Sequence, residues 1–330
     1  MDKILTVSIA AYNAQRYLRK CLDSFVTCKC LAKLEIFVVD DGSADDTAAI
    51  GLEYQNKYPE SIKLISKTNG GHGSTINASI ENSTGRYFKV VDSDDWVESD
   101  NLDRLVGFLE GSEDDLVLNP FYFVNPDESY HKELSKPCDY CFVGRDIDDV
   151  ISDLNVVMHS ITYRTSVLKQ LGSFVTEKCF YVDQEYNLKP LGFVKRVSCL
   201  DYPIYDYLFG TLEQSCNQDV MTRRRDQHKK VLIGLLGWYS SLNDISVKLK
   251  LYIKSRLEIL SYVHYGCYFN LKESIAQEEI REFDSMFYEL CPEIYSDILN
   301  DLRDIKTIRV IGLLRKVDFL FFNIVKKLRK

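Results

Sequence analysis

The sequence predicts an α/β protein built on a parallel β-sheet, with a helical region after it. Within about the first hundred residues, apolar strand patterns alternate with helical stretches, which is typical of βαβ units with right-handed crossovers. Two of these strands end in acidic turns, DDGS and DSDD, at the edge where an open sheet binds ligands. After residue 217 the strand patterns stop and amphipathic helical patterns follow.

The composition excludes several classes of function. Apolar residues make up 45% of the 330 residues and charged residues 27%, as in globular proteins. The net charge of −8 argues against nucleic acid as the main partner. No apolar run is long enough to cross a bilayer and we expect no signal peptide, so a cytoplasmic location is predicted. The ten cysteines are scattered, which favours buried, reduced thiols over a zinc site.

The first three repeats each combine a buried strand with a helix. We predict strands at residues 5–11, 34–39 and 62–66, and helices at residues 15–25, 45–57 and 74–82. The second strand ends in Asp40 and Asp41. The third is followed by a glycine-rich turn, KTNGGHG at residues 67–73, which resembles a phosphate cradle at a helix N-terminus. A plain turn explains it equally well, and we interpret His72 as a loop residue.

The fourth strand, residues 86–91, ends in three acids, Asp92, Asp94 and Asp95. Like charges this close repel each other and resist burial, and a divalent cation would relieve that repulsion. The alternative is a solvated acidic turn that caps a helix at residues 101–109, with Ser99 or Asp100 as the cap instead. Because the DDGS and DSDD turns both follow parallel strands, we expect them at one edge of the sheet.

The elements up to residue 216 are less regular. Their predicted positions are a strand pair at 115–124 interrupted by Pro120, a hairpin tip at 125–136, an acidic helix at 145–155, strands at 157–163 and 194–199, and a helix at 165–171. We interpret His159 as a core histidine in preference to a contact with an acceptor.

The region from residue 217 to 330 is predicted to be helical. Three amphipathic helices are expected at residues 220–239, 247–265 and 272–290. The segment 308–330 then carries seven basic residues and one acid among apolar positions. A basic amphipathic helix suits an anionic membrane surface, and packing of a last helix against the others is the alternative.

Three segments in this order and spacing resemble the family 2 inverting glycosyltransferases of the GT-A fold: VSIAAYNAQRYLRKCLDS, FVVDDGSADDT and NGGHGSTINASIENSTGRYFKVVDSDDW. The resemblance is close over residues 4–110 and looser up to 216. It implies a Rossmann-like mixed sheet in a domain at 1–216, with a nucleotide-sugar-binding half at 1–110 and an acceptor-binding half at 111–216. The Gln-X-X-Arg-Trp motif of the processive synthases is absent from the sequence, which indicates a non-processive enzyme.

The resemblance also implies a donor site and a metal site. The nucleotide-sugar would contact Ala11, Tyr12, Asp40, Asp41, Gly71, Asp92 and Ser93. Asp92 and Asp94 match the Asp-X-Asp motif of the family, with Asp94 as the direct ligand of Mn²⁺ or Mg²⁺. Carboxylate and phosphate oxygens are hard ligands that suit these ions.

The family places its catalytic base in a Glu-Asp pair at the start of a helix. Asp183 matches the Asp of that pair, but Val182 stands where Glu is usual. Glu185 is the alternative base. Capping of the helix is the alternative role for Asp183.

The function implied is metal-dependent transfer of a sugar from a nucleotide diphosphate donor, with UDP expected, in the synthesis of cell-surface polysaccharide. The acceptor would be a glycan or a lipid-linked saccharide. The protein would contact the inner face of the membrane through residues 308–330. Both a monomer and a homo-oligomer fit the sequence. One alternative is a non-catalytic nucleotide- or carbohydrate-binding module of the same fold. Another is a nucleotidyltransferase, for which Lys67 is the one candidate triphosphate ligand.

Overall fold

The computed structural model describes residues 2–125, 131–210, 214–215, 217–271, 273–300, 315 and 319. The chain divides into two compact units, Met1–Thr211 and Leu212–Lys330. The strands are β1 (Leu5–Ala11), β2 (Leu34–Asp40), β3 (Ile62–Ser66), β4 (Tyr87–Asp92), β5 (Trp96–Val97), β6 (Leu116–Leu118), β7 (Phe121–Asn125), β8 (His131–Ser135), β9 (Phe142–Asp146), β10 (Ile161–Arg164), β11 (Arg196–Cys199) and β12 (Tyr205–Leu208).

The first unit contains seven of the α-helices: α1 (Leu18–Val26), α2 (Thr47–Lys57), α3 (His72–Asn82), α4 (Ser99–Gly111), α5 (Ile147–Val150), α6 (Thr165–Leu171) and α7 (Asp183–Leu188). The described part of the second unit contains α8 (Gln218–Arg223), α9 (Arg225–Ser240), α10 (Val247–Tyr268), α11 (Glu273–Leu290) and α12 (Pro292–Asn300). The helical character predicted after residue 217 is therefore confirmed for the described residues up to 300.

A mixed eight-stranded sheet forms the centre of the first unit, in the order β3-β2-β1-β4-β10-β6-β11-β9. Strands β1 to β4 run parallel to one another, and β10 is antiparallel to β4. All seven residues of β2 are buried, as expected of a strand that is covered on both faces. The predicted α/β fold with a mixed sheet is confirmed.

A second sheet has the order β5-β12-β7-β8. The strand pair predicted at 115–124 is wrong in one respect, because β6 belongs to the large sheet and β7 to this small one. Pro120 separates them, and it cannot donate a ladder hydrogen bond. The tip of the hairpin between β7 and β8 lies outside the described residues.

Three other sequence predictions need correction. The helix expected at 145–155 is preceded by the edge strand β9, whose Gly144 has a φ of +63°. The strand expected at 157–163 begins only at Ile161, after a short 3-10 helix at Met158–Ser160. In the second unit, one predicted helix is divided into α8 and α9, and Pro292 begins the unpredicted α12.

The predicted basic helix at 308–330 lies outside the described residues except at Arg315 and Phe319. Arg315 donates to Asp284, and its guanidinium carbon lies 3.6 Å from the ring centroid of Tyr295. Phe319 is 2% exposed. Membrane contact stays a prediction. In the described part of the chain, no helix combines the length and the apolar character that crossing a bilayer requires.

The burial of the cysteines agrees with the sequence prediction. All nine within the described residues are free thiols, and eight of them are buried.

Candidate active site

The carboxyl ends of β1, β2 and β4 lie side by side. Ala11 is paired with Asp40, and Ala10 with Asp92. The register therefore brings the turns that follow these strands to one edge of the sheet, as the sequence predicts. Tyr12 follows β1 at this edge and is 57% exposed.

The loops after β1 and β2 are joined to each other by five hydrogen bonds. The residues involved are Asn13, Ala14, Gln15, Ser43, Ala44, Asp45, Asp46 and Thr47. Asn13 holds the first turn with a φ of +51°, a conformation that asparagine tolerates better than most residues. The predicted donor-binding loops therefore have a fixed mutual geometry.

The two acids after β2 bind the protein's own backbone. Asp40 accepts from the Ser43 amide at 3.0 Å. Asp41 is 3% exposed and accepts from the amides of Gly70 and Gly71, at 2.9 and 2.7 Å. Asp41 thus shapes the glycine turn, and a contact of either acid with a nucleotide stays a prediction.

Lys67 is also committed to internal contacts. Its Nζ donates to Asp41 Oδ1 at 3.0 Å and to Ser74 Oγ at 2.8 Å. These contacts weaken the nucleotidyltransferase alternative, because its candidate triphosphate ligand is already paired.

The glycine turn packs against another main-chain segment. Gly71 has a φ of +78°, and a Cβ there would lie 3.1 Å from Lys178 Cα. A Cβ on Gly73 would lie 2.1 Å from the carbonyl oxygen of Thr176. Close approach to residues 176–178 therefore accounts for both glycines, and binding of a phosphate at this turn stays a prediction. A donor contact at Gly71 stays a prediction.

The acidic turn after β4 contains carboxylates in two different situations. Asp95 is 1% exposed and accepts from the hydroxyl of Tyr205 and from the amide of Leu208. Both of its oxygens are used, so Asp95 has a structural role. Asp94 is partly exposed, and the intervening Ser93 is buried. The predicted capping of α4 by Ser99 or Asp100 is wrong, since the N-cap residue is Glu98 without a side-chain cap bond.

His72 contacts the acidic turn directly. Its Nε2 lies 3.1 Å from Asp92 Oδ1, which makes an ion pair when the imidazole is protonated. Burial opposes the charged imidazole, but Asp92, Asp183 and Asp94 outweigh burial and raise the pKa of His72. Burial likewise opposes the charge of Asp92, and His72 reverses this and lowers the pKa of Asp92. The interpretation of His72 as a plain loop residue is therefore incomplete.

The carboxylates present here fit a divalent cation. Burial and the neighbouring Asp92 raise the pKa of Asp94 to about 6, although His72 acts in the opposite direction. His72 therefore relieves only part of the repulsion between the carboxylates of this turn. One ligand atom each from Asp92, Asp95 and His159 lie within 4.8 Å of one another. Asp95 is already hydrogen-bonded and Asp94 is not one of these three residues, so Asp92 and Asp94 as ligands of Mg²⁺ or Mn²⁺ stay a prediction.

His159 lies at the site and is packed on aromatic rings. Its ring centroid is 4.2 Å from that of Tyr207, in a stacked arrangement, and burial lowers its pKa to about 4. The buried Lys89 holds this segment by donating to the carbonyl oxygens of His159 and Ile161, each at 3.0 Å. Burial lowers the pKa of Lys89 to about 7. The role of Lys89 was not predicted, although a lysine inside an apolar strand is a signal that the sequence carries.

Asp183 and Glu185, the two candidate bases, differ in their surroundings. Asp183 is the first residue of α7, is partly exposed and interacts electrostatically with His72 and Asp92; burial, with Asp92, raises its pKa. Glu185 is buried and accepts from the Thr176 amide at 2.7 Å and from Lys189 Nζ at 2.6 Å. The alternative of Glu185 as the base is therefore wrong, because its carboxylate is taken up by structural contacts.

The start of α7 has no side-chain cap. Its N-cap residue is Val182, which is fully buried and makes no side-chain cap bond. Asp183 instead accepts from Gln184 Nε2 at 2.6 Å. Capping by Asp183 is not observed.

Comparisons with known proteins agree with this geometry. The sequence model of the family described as "Glycosyl transferase family 2" matches residues 6–172. Glycosyltransferase GlyA of Streptococcus pneumoniae is 35% identical over 128 residues, which are 39% of this chain and 18% of that protein. This chain thus matches less than a fifth of the length of that relative.

Two solved structures share the fold. Staphylococcus aureus TarS 1-349 in complex with UDP-GlcNAc has a TM-score of 0.70 at 19% identity, covering 95% of this chain and 91% of that one. The mannosyltransferase PcManGT from Pyrobaculum calidifontis, in complex with GDP-Man and Mn2+, has a TM-score of 0.54 at 15% identity, covering 96% and 88%. These likenesses confirm the predicted GT-A fold.

Proposed function

This chain belongs to glycosyl transferase family 2, and on that premise we propose that it is an inverting, metal-dependent glycosyltransferase using a nucleotide diphosphate sugar. The observation that carries the proposal is the meeting of Asp92, Asp94, His72 and Asp183 at one edge of the sheet. Packing does not require these charges, because buried like charges are costly. The proposed reaction needs carboxylates that hold a cation beside a diphosphate, for which we propose Asp92 and Asp94. It also needs a carboxylate that accepts a proton, for which we propose Asp183.

Asp183 is proposed as the general base. Its raised pKa strengthens it as a proton acceptor, and it is partly exposed at the start of α7. It would take the proton of an acceptor hydroxyl while that oxygen forms a bond to the anomeric carbon of the donor. The bond from this carbon to the diphosphate breaks, and the nucleoside diphosphate leaves with the electron pair. Inversion follows from this single displacement.

The donor site would be formed by the first half of the domain, residues 1–110. Ala11, Tyr12, Asp40, Asp41, Gly71, Asp92 and Ser93 are its proposed residues. Asp94 with Asp92 would hold Mn²⁺ or Mg²⁺, which would supply positive charge to offset the charge of the departing diphosphate. UDP is the proposed nucleotide, supported by the shared fold with TarS, which was solved with UDP-GlcNAc.

The acceptor would be bound by residues 111–216. We propose a hydroxyl of a glycan or a lipid-linked saccharide, in the synthesis of cell-surface polysaccharide on the cytoplasmic side of the membrane. The basic pattern at 308–330 is the sequence feature that supports membrane contact.

Thermal unfolding with UDP, GDP, CDP or dTDP, each with and without Mn²⁺, tests the donor site without an acceptor. We expect UDP with Mn²⁺ to stabilise the chain by about 2.7 kcal/mol at a hundredfold excess over Kd. Asp94→Asn should lose the part of this shift that depends on Mn²⁺. The matched control is Asp100→Asn, an exposed acid in the first turn of α4, which should keep it.

The outcomes separate the alternatives. Stabilisation by one nucleotide only with Mn²⁺ supports the proposal and identifies the donor class. A shift of equal size without metal would refute metal dependence. No shift with any nucleotide would remove the enzyme proposal in favour of a non-catalytic carbohydrate-binding module.

A further inference from the structure

One face of the small sheet carries a continuous row of aromatic side chains. Strands β7 and β12 are parallel, with Tyr205 opposite Phe121 and Tyr207 opposite Phe123. Because alternate residues of a strand point to the same side, these four side chains and Phe209 share one face. We call this surface, made of Phe121, Phe123, Tyr205, Tyr207 and Phe209, the aromatic face.

The opposite side of the same sheet has a different chemistry. It carries the buried Asp206, which pairs with Lys132 Nζ at 2.8 Å, and Lys132 also pairs with Glu98. The buried ion pair therefore lies on one side of this sheet and the aromatic face on the other. This separation follows the period of two along β12, where Tyr205, Asp206 and Tyr207 alternate.

Exposure increases along the aromatic face. Tyr205 and Phe121 are 0% and 3% exposed, Phe123 and Tyr207 are half-buried, and Phe209 is 42% exposed. The ring centroids of Phe123 and Phe209 are 5.3 Å apart, and those of Tyr207 and Phe209 are 5.8 Å apart. The row thus begins in the core and ends as aromatic surface in contact with solvent.

The buried end of the aromatic face reaches the proposed reaction centre. Tyr207 stacks on His159, a ring nitrogen of which lies within 4.8 Å of a carboxylate oxygen of Asp92. Tyr205 donates to Asp95 and accepts from the Asp92 amide at 3.1 Å. A ligand on the exposed part of the aromatic face would therefore have one end at Tyr207, whose stacking partner His159 lies beside the acidic turn.

Polar groups lie beside the aromatic rings. Glu133 on β8 is opposite Phe123, and Asn125 lies two residues beyond Phe123 on the same face of β7. A pyranose ring presents C–H groups on its faces and hydroxyls at its edges, which matches aromatic rings with polar neighbours. An acyl chain would gain nothing from Glu133 and would desolvate it.

We infer that the aromatic face is the binding surface for the saccharide part of the acceptor. The part of the aromatic face that reaches solvent runs from Tyr207 to Phe209, which is two residue steps of extended chain, or roughly 7 Å, enough for one sugar ring. The inference rests on the proposed function for its direction, since the sugar nearest Asp92 would be the one that receives the transferred residue.

The test uses saturation-transfer NMR on the full chain with β-1,4-linked tetrasaccharides of glucose and of N-acetylglucosamine, and with dodecyl phosphate as the lipid probe. Stacking uses ring faces that all pyranoses share, so at least one tetrasaccharide should give a signal at millimolar concentration. Phe209→Ala should weaken its affinity about fivefold, whereas Phe209→Trp should retain it.

A matched control is available because Phe193 is also 42% exposed. Phe193→Ala should leave tetrasaccharide affinity unchanged. Phe123→Leu provides a second test of the aromatic face that retains apolar volume, and thermal unfolding of each variant verifies that it is folded. Equal losses in Phe193→Ala and Phe209→Ala would overturn the inference.

Two further outcomes would also overturn it. One is the absence of signal from both tetrasaccharides, and the other is a response to dodecyl phosphate alone that Phe209→Ala abolishes. The nucleotide experiment distinguishes this failure from failure of the proposed function. Saccharide binding without a thermal shift by any nucleotide would support the aromatic face as a saccharide site and refute the enzyme proposal. A thermal shift with UDP–Mn²⁺ without saccharide binding would support the enzyme proposal and refute the inference about the aromatic face.

Discussion

Asp183 and Glu185 are two acids, two residues apart, that we expect to respond in opposite ways to loss of charge. Glu185→Gln preserves shape but breaks a buried ion pair with Lys189 and replaces a charged acceptor for the Thr176 amide. Removing one partner of a buried pair costs about 3–5 kcal/mol. Lys189 keeps the Phe174 carbonyl and 16% side-chain exposure, so we expect a loss near the lower limit, about 3 kcal/mol.

Asp183→Asn should change the free energy of unfolding by less than about 1 kcal/mol. The raised pKa means that folding disfavours the charged form of Asp183, so a neutral amide removes an unfavourable term. Against this gain, the substitution weakens the hydrogen bond that Gln184 donates to the carboxylate. Turnover should be abolished, while affinity for UDP stays within a few fold, because the nucleotide does not depend on the base.

Urea unfolding measures the free energy of unfolding of both variants. UDP release from a UDP-sugar measures turnover, and the thermal shift with UDP–Mn²⁺ measures the affinity for the nucleotide. The opposite pattern would refute the reasoning. That pattern is an Asp183→Asn variant that retains most turnover beside a Glu185→Gln variant that is as stable as the parent chain but inactive.

Three further predictions concern the scaffold. Gly73→Ala should lower the free energy of unfolding by about 2 kcal/mol, because the new Cβ would lie 2.1 Å from the carbonyl oxygen of Thr176. Gly107→Ala is the control, since a Cβ there has nothing within 4 Å, and equal effects of the two substitutions in thermal unfolding would contradict this. Tyr205→Phe should cost about 2 kcal/mol in urea unfolding by leaving buried Asp95 without one donor, and an unchanged midpoint would count against that role. Burial lowers the pKa of His228 to about 4, so the unfolded form binds more protons between that value and about 6.5. This histidine should contribute a loss of about 2 kcal/mol in stability from pH 8 to pH 5, measured by urea unfolding as the difference between the parent chain and His228→Asn; the same pH profile in both would disprove it.

Strands β1, β2 and β4 could be predicted from the sequence because almost all of their residues are buried and most are apolar. The edge strand β3 has one buried residue, and its pattern comes from Ile62, Leu64 and Ile65. Strands β1 to β4 lie within about a residue of the predicted positions. The edge strand β9 could not be found in this way. Its residues are mostly exposed and include Gly144 at positive φ, so its pairing with β11 is set by tertiary contacts.

The site was only partly predictable for a similar reason. Sequence motifs indicate which carboxylates are present, but they do not distinguish a carboxylate that accepts internal hydrogen bonds from one that is open. Asp41 and Glu185 are of the first kind, and Asp183 is partly exposed. The partners that make this difference, such as the amide of Gly70 and Lys189, come together only in the folded chain.

The five hydrogen bonds between the loops after β1 and β2 have a consequence for exchanging parts between relatives. Each loop supplies donors and acceptors to the other: the Gln15 amide donates to the Asp45 carboxylate, and the Asp46 amide donates to the Gln15 side chain. Replacing residues 12–15 alone by the loop of a relative would leave several polar groups of 43–47 without partners. The two loops therefore have to be exchanged together in chimaeras that are designed to change nucleotide preference.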